Sequence, residues 1–132
     1  MTKIPTSRSE PGIGVLKDKI YVVGGTVYQE DGDGEHKTCV EVYDPSKNQW
    51  SSAASMNMVR VDPALLGANG KLYALGSVDS DEISHNSWEW YDPAEDKWTL
   101  MEHNLDGQVT HRSACIMKQY EVQLPYWERI RR

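Results

Sequence analysis

The chain has 132 residues and a formal net charge of −6 at neutral pH. That length suits one domain, the acidic balance argues against a general nucleic-acid binder, which needs a basic face to displace phosphate counterions, and no apolar run nears the roughly 18–20 residues that cross a membrane. Met1 to Arg8 is polar and carries Pro5, so no secretory leader is expected, and Cys39 and Cys115 lie far apart, fit no metal spacing and read as reduced thiols of a cytoplasmic protein.

After Arg8, the first expected strand is the short apolar stretch Gly12 to Leu16, closed by a Lys17-Asp18 turn. Ile20 to Val23 is a nearly continuous apolar run, as in a strand buried on both faces, and it ends on Gly24-Gly25. The acidic stretch Glu30-Asp31-Gly32-Asp33-Gly34-Glu35 reads as a solvated loop between the second and third strands. It lacks the terminal acid and flanking helices of a calcium loop. His36 stands near Cys39, but strand alternation faces the two apart, so no zinc site is expected. Val40 to Tyr43 predicts a third strand with Glu41 facing solvent. A turn at Asp44-Pro45 follows, and Trp50 opens a fourth strand.

The second half repeats this order. Arg60 precedes Ala64 to Ala68, an Asn69-Gly70 turn, Leu72 to Leu75 and Gly76-Ser77. A second acidic stretch holds Asp79, Asp81 and Glu82. Then come Trp88 to Tyr91, with Glu89 facing solvent, an Asp92-Pro93 turn and Trp98. Tyr21 and Tyr73 lie 52 residues apart, but Trp50 and Trp98 only 48, so the second copy has a shorter acidic loop. Insertions gather in such exposed connections. Arg8, Arg60 and Arg112 stand at 52-residue intervals and therefore occupy one repeated position. Trp88 and Trp90 share a strand face, where core packing is the expected role. Nothing shows sustained helical periodicity, so each copy reads as four antiparallel strands. A third copy begins with Arg112 and the apolar Ala114 to Met117. Pro125 then falls where the tyrosine is due, and the tail from Lys118 departs from the pattern. The expected division is a lead-in at 1–7, repeats at 8–59 and 60–111, the start of a third at 112–117, and a divergent tail at 118–132.

The recurring Gly24, Gly25, Tyr43 and Trp50, matched by Gly76, Tyr91 and Trp98 with Ser77 in place of the second glycine, resemble the kelch repeat. The resemblance covers roughly residues 8 to 117 and implies an all-β fold: a partial kelch β-propeller of two four-stranded blades plus the start of a third. Tyr and Trp rings would fill the wedges between blades, with glycine admitting close neighbours. In kelch propellers of BTB-kelch ubiquitin-ligase adaptors, arginines at the entry to each innermost strand point to the central cavity and grip acidic peptides. The resemblance places Arg8, Arg60 and Arg112 there, with Ser9 and Ser113 beside two of them. An arginine fork suits a carboxylate. The alternative is that each arginine ties a loop to a backbone carbonyl or a neighbouring acid.

The implied function is a protein-interaction scaffold, the substrate-recognition part of a BTB-kelch adaptor for a cullin-RING E3 ubiquitin ligase. An actin-binding cytoskeletal kelch protein and a fragment of a kelch-type enzyme are the alternatives. No phosphate loop, nucleophile elbow or His-Glu-x-x-His motif is present, and His103 and His111 read as solvated loop residues. No catalytic residue, metal or cofactor is expected. The expected partner is a protein or acidic peptide. Two blades leave faces uncovered, so self-association is expected too.

Overall fold

A computed structural model of the chain describes residues 1–76 and 87–101. Ser77, the second acidic stretch, His103, His111, Arg112, Ser113, the third repeat and the tail lie outside the described residues.

The first sheet starts with β1 (Gly12–Leu16) and β2 (Lys19–Val23), joined through Lys17 and Asp18. Both turn residues are left-handed, with φ of 51° and 61°, the geometry a two-residue hairpin of matching twist demands. The chain then leaves the sheet and returns as β5 (Val40–Asp44), antiparallel to β2, and as β6 (Gln49–Ala53) at the outer edge. The order is β1-β2-β5-β6. Between β2 and β5, β3 (Thr26–Tyr28) and β4 (Gly34–His36) pair as a separate hairpin.

That hairpin corrects the expectation of a solvated loop. Thr26, Val27 and Tyr28 oppose His36, Glu35 and Gly34, so only the tip is irregular. The Gln29 N–H donates to the Asp33 carbonyl at 2.8 Å and closes it. The acids themselves are exposed. The Thr26 hydroxyl lies 3.0 Å from the His36 Nδ1 atom.

The second sheet repeats the first: β7 (Ala64–Ala68), β8 (Lys71–Leu75), β9 (Trp88–Asp92) and β10 (Lys97–Met101), with the order β7-β8-β9-β10. No helix occurs among the described residues.

The two sheets stack face to face. Leu16, Tyr21, Val23, Val40 and Val42 of the first meet Leu72, Ala74, Tyr91 and Trp98 of the second, with Met56 of the connection between them. The Tyr21 and Tyr91 rings meet across this interface, 5.8 Å apart. The far face of the second sheet gathers Leu75 and Trp88 with Tyr73, Trp90 and Met101, so the paired indoles pack within a cluster as expected. On the far face of the first sheet, Ile13 and Val15 are each 62% exposed.

Glu41 and Glu89 require a second correction. Alternation suggested that they face solvent, yet they are 6% and 0% exposed. The alternation rule assumes one wet face. Here Glu89 points at the first sheet, and each carboxylate meets a buried arginine that offsets its charge.

Candidate functional site

Arg8 and Arg60 enter their sheets just ahead of β1 and β7 and turn inward. Arg60 is wholly buried. Its Nη1 donates to the carbonyls of Gly76 and Ser87, both at 3.0 Å. Its Nη2 reaches the Ser87 hydroxyl at 3.2 Å and the Glu89 carboxylate at 3.1 Å, and its Nε donates to the same carboxylate at 3.2 Å. Burial pushes the Arg60 guanidinium below the ordinary arginine value, and Glu89 acts in the opposite direction. Arg8 copies the arrangement. Its Nη1 donates to the carbonyls of Gly24 and Cys39, both at 3.0 Å, and its Nη2 donates to Glu41.

Each guanidinium therefore stitches the end of the second strand to the start of the third and balances a buried acid. The ligand-gripping role expected for Arg8 and Arg60 gives way to the structural tie, because both forks are engaged inside the chain and shielded from solvent. Ser9 is exposed, and its backbone pairs with Thr26 in both directions at 2.8 Å.

The glycine pair belongs to the same knot. Gly24 and Gly25 both have positive φ, 63° and 87°. A Cβ on Gly24 would stand 2.3 Å from the Arg60 carbonyl oxygen, closer than any side-chain carbon tolerates. The Gly25 N–H donates to that carbonyl at 2.9 Å. The doubled glycine thus lets the entry to the second sheet lie against the first.

A second repeated motif works at the outer edge. The Trp98 indole N–H donates to the Ala54 carbonyl at 2.8 Å, and the Ala54 N–H donates to the Asp96 carboxylate at 2.9 Å. In the first sheet the Trp50 indole donates to the Thr2 carbonyl at 3.0 Å, and the Thr2 N–H donates to the Asn48 side-chain oxygen at 3.1 Å. Tyr43 and Tyr91 donate their hydroxyls to Asn48 and Asp96 at 2.5 and 2.7 Å. Thr2 to Arg8 therefore sits on the first sheet as Ala54 to Arg60 sits on the second, and the repeat runs through the lead-in.

Residues 7–57 match the Kelch motif family model. "Kelch repeat and BTB domain-containing protein 1" of camelpox virus is 34% identical over 74% of this chain and 17% of its own length. "Kelch-like protein 21" of Bos taurus is 35% identical over 65% of this chain and 14% of its own. The chain belongs to the kelch-repeat family. It spans about a sixth of the length of these two relatives. The solved structure of YjhT superposes with a TM-score of 0.67 over 78% of this chain and 40% of that one, at 16% identity, a likeness of fold. The two sheets are kelch blades, stacked as neighbours in a propeller.

The sequence reading found Gly24, Gly25, Tyr43, Trp50, Gly76, Tyr91 and Trp98; the structure puts Tyr91 and Trp98 in the core between the sheets, Gly24 and Gly25 against the entry to the second sheet, Gly76 on the Arg60 fork, and Tyr43 with Trp50 beneath the lead-in. The sequence reading missed Glu41, Glu89, Asn57, Asn48 and Asp96. A signal existed for the two glutamates: each stands two residues before the repeated tyrosine. Among the described residues no group of three or more His, Cys, Asp or Glu is placed to hold a metal.

Proposed function

We propose that these blades belong to a protein-recognition propeller, the substrate-binding part of a BTB-kelch adaptor for a cullin-RING ubiquitin ligase. The observation that carries this reading is the similarity to proteins whose names join kelch repeats to a BTB domain. The blade geometry supports a non-catalytic scaffold. Its buried ion pairs fix the strand entries, which leaves recognition to the exposed connections. Cys39 is a free thiol, which suits a reducing cytoplasmic setting. Arg8 and Arg60 are engaged internally, so an acidic peptide would be met by the exposed connections, with Ser9 at one of them.

The test expresses the tagged chain in cells with cullin neddylation blocked or active. Proteins captured by the chain should accumulate when neddylation is blocked, as substrates of such a ligase do. Captured proteins whose abundance is indifferent to the block would overturn the adaptor reading. Co-sedimentation of the chain with filamentous actin would favour a cytoskeletal role instead.

A further inference from the structure

The two buried glutamates are not equally served. In the second blade Glu89 accepts five hydrogen bonds. One oxygen takes the Asn57 backbone N–H at 2.7 Å and the Asn57 side-chain amide at 3.2 Å. The other takes the Met58 N–H at 3.1 Å and two Arg60 nitrogens. The Asn57 amide nitrogen has a second hydrogen, and it donates this to the Trp98 carbonyl at 3.2 Å. In the first blade the residue 52 positions before Asn57 is Pro5, which has no N–H and no polar side chain. Glu41 accepts a hydrogen bond only from Arg8 Nη2 among the described residues. The buried Arg8 Nε finds no partner.

A cavity of about 350 Å³ opens at this place, lined by Pro5, Thr6, Cys39, Glu41, Trp50 and Ser55 among others. That volume lies in the range of small-ligand sites. Its wall presents the carboxylate that Asn57 serves in the other blade, and Trp50, whose counterpart carbonyl Asn57 also serves. Arg8 already answers the charge of Glu41, so an ammonium group entering here would bring an unmatched cation into a half-buried site. A neutral donor with two N–H groups fits the need.

We propose that this cavity binds a primary carboxamide, the side chain of Asn or Gln on a peptide segment of a partner protein. Its NH2 group bridges Glu41 and the Trp50 carbonyl, as Asn57 bridges Glu89 and the Trp98 carbonyl. The hydroxyls of Thr6 and Ser55 offer donors to the amide oxygen. The site lies on the outer half of the first blade and does not depend on the adaptor reading.

The experiment titrates N-acetyl-asparagine methylamide into the isotopically labelled full chain and follows the Trp50 indole and the Cys39 and Glu41 amides by NMR. Saturable shifts at these three positions are expected, with affinity at least tenfold weaker for the aspartate analogue. Pro5→Asn supplies an internal amide, and Glu41→Gln removes the charged acceptor. Each should weaken probe binding at least tenfold, and a folded Pro5→Asn protein keeps the test decisive if Glu41→Gln unfolds. Absence of saturable shifts, equal affinity for the aspartate analogue, or undiminished binding in folded Pro5→Asn would each overturn the proposal.

Discussion

Trp98 and Ala54 join the two blades directly: the indole N–H of one donates to the backbone carbonyl of the other at 2.8 Å. The ring is also 5% exposed and lies 5.2 Å from Tyr91. Trp50 makes the matching bond to Thr2 and lies 5.1 Å from Tyr43, but it is only half-buried. Trp98→Ala should therefore lower stability by about 3–5 kcal/mol, the usual cost of emptying a large aromatic site. Trp50→Ala should cost clearly less. Urea unfolding of both variants checks this, and equal losses would contradict the asymmetry.

Arg60 carries five hydrogen bonds and a buried partner charge. Removing it leaves the Glu89 carboxylate buried without its counter-charge, which costs about 3–5 kcal/mol. Arg60→Lys should also destabilise, because an ammonium keeps the charge but cannot span both carbonyls and the carboxylate at once. Thermal unfolding should show both losses. A lysine variant as stable as the parent would mean that charge alone, and not the fork, holds the seam.

The blades were legible because their marks recur. Tyr, Trp and the first glycine of the pair return in the same order, and each expected strand among the described residues formed within a residue of its place. What escaped reading escaped for physical reasons. The returning strand β4, Gly34-Glu35-His36, closes an acidic stretch whose Gly and Asp favour turns, and its register depends on backbone pairing more than on an apolar face. Glu41 and Glu89 were misassigned because alternation says which residues share a face, not whether that face is wet. Arg8 and Arg60 stand at equivalent places, as their spacing suggests. Their direction depended on acids that lie 33 and 29 residues further along the chain, and only the folded sheet brings those acids close. The contrast between Pro5 and Asn57 becomes meaningful only when both lead-in segments are seen on the same seat.

The first blade leaves Ile13 and Val15 exposed on the face that corresponds to the covered face of the second. Burying such a surface is favourable at about 25 cal/mol per Å², so the chain should self-associate as its concentration rises. Ile13→Lys with Val15→Lys should shift sedimentation toward the monomer without lowering the unfolding temperature much, since neither side chain is in the core. A wild-type chain that stays monomeric at high micromolar concentration would contradict this.

Asp96 and Asn48 occupy one position in the two blades, and only Asp96 titrates. The Ala54 N–H and the Tyr91 hydroxyl both donate to the Asp96 carboxylate and hold it below its ordinary value of 3.8. A carboxyl lowered in the folded state binds protons less readily than in the unfolded chain. Its stabilisation is therefore present above about pH 4 and is lost as pH falls through the lower folded value. Tyr91 behaves in the opposite sense. Burial, and then its bond to Asp96, raise its hydroxyl above the ordinary value of 10.0, so that contribution persists at neutral pH and fades only in alkali. Asp96→Asn installs the residue the first blade uses at this position. The amide oxygen still accepts both hydrogen bonds, but without charge. The variant should be less stable than the parent at pH 7 by about 1 kcal/mol or less, given the exposure of the carboxylate to solvent. That gap should close as the pH is taken from 5 to 2. Denaturant unfolding across this range measures the difference directly, and a gap that stays constant down to pH 2 would show that the Asp96 charge does not contribute to the seam.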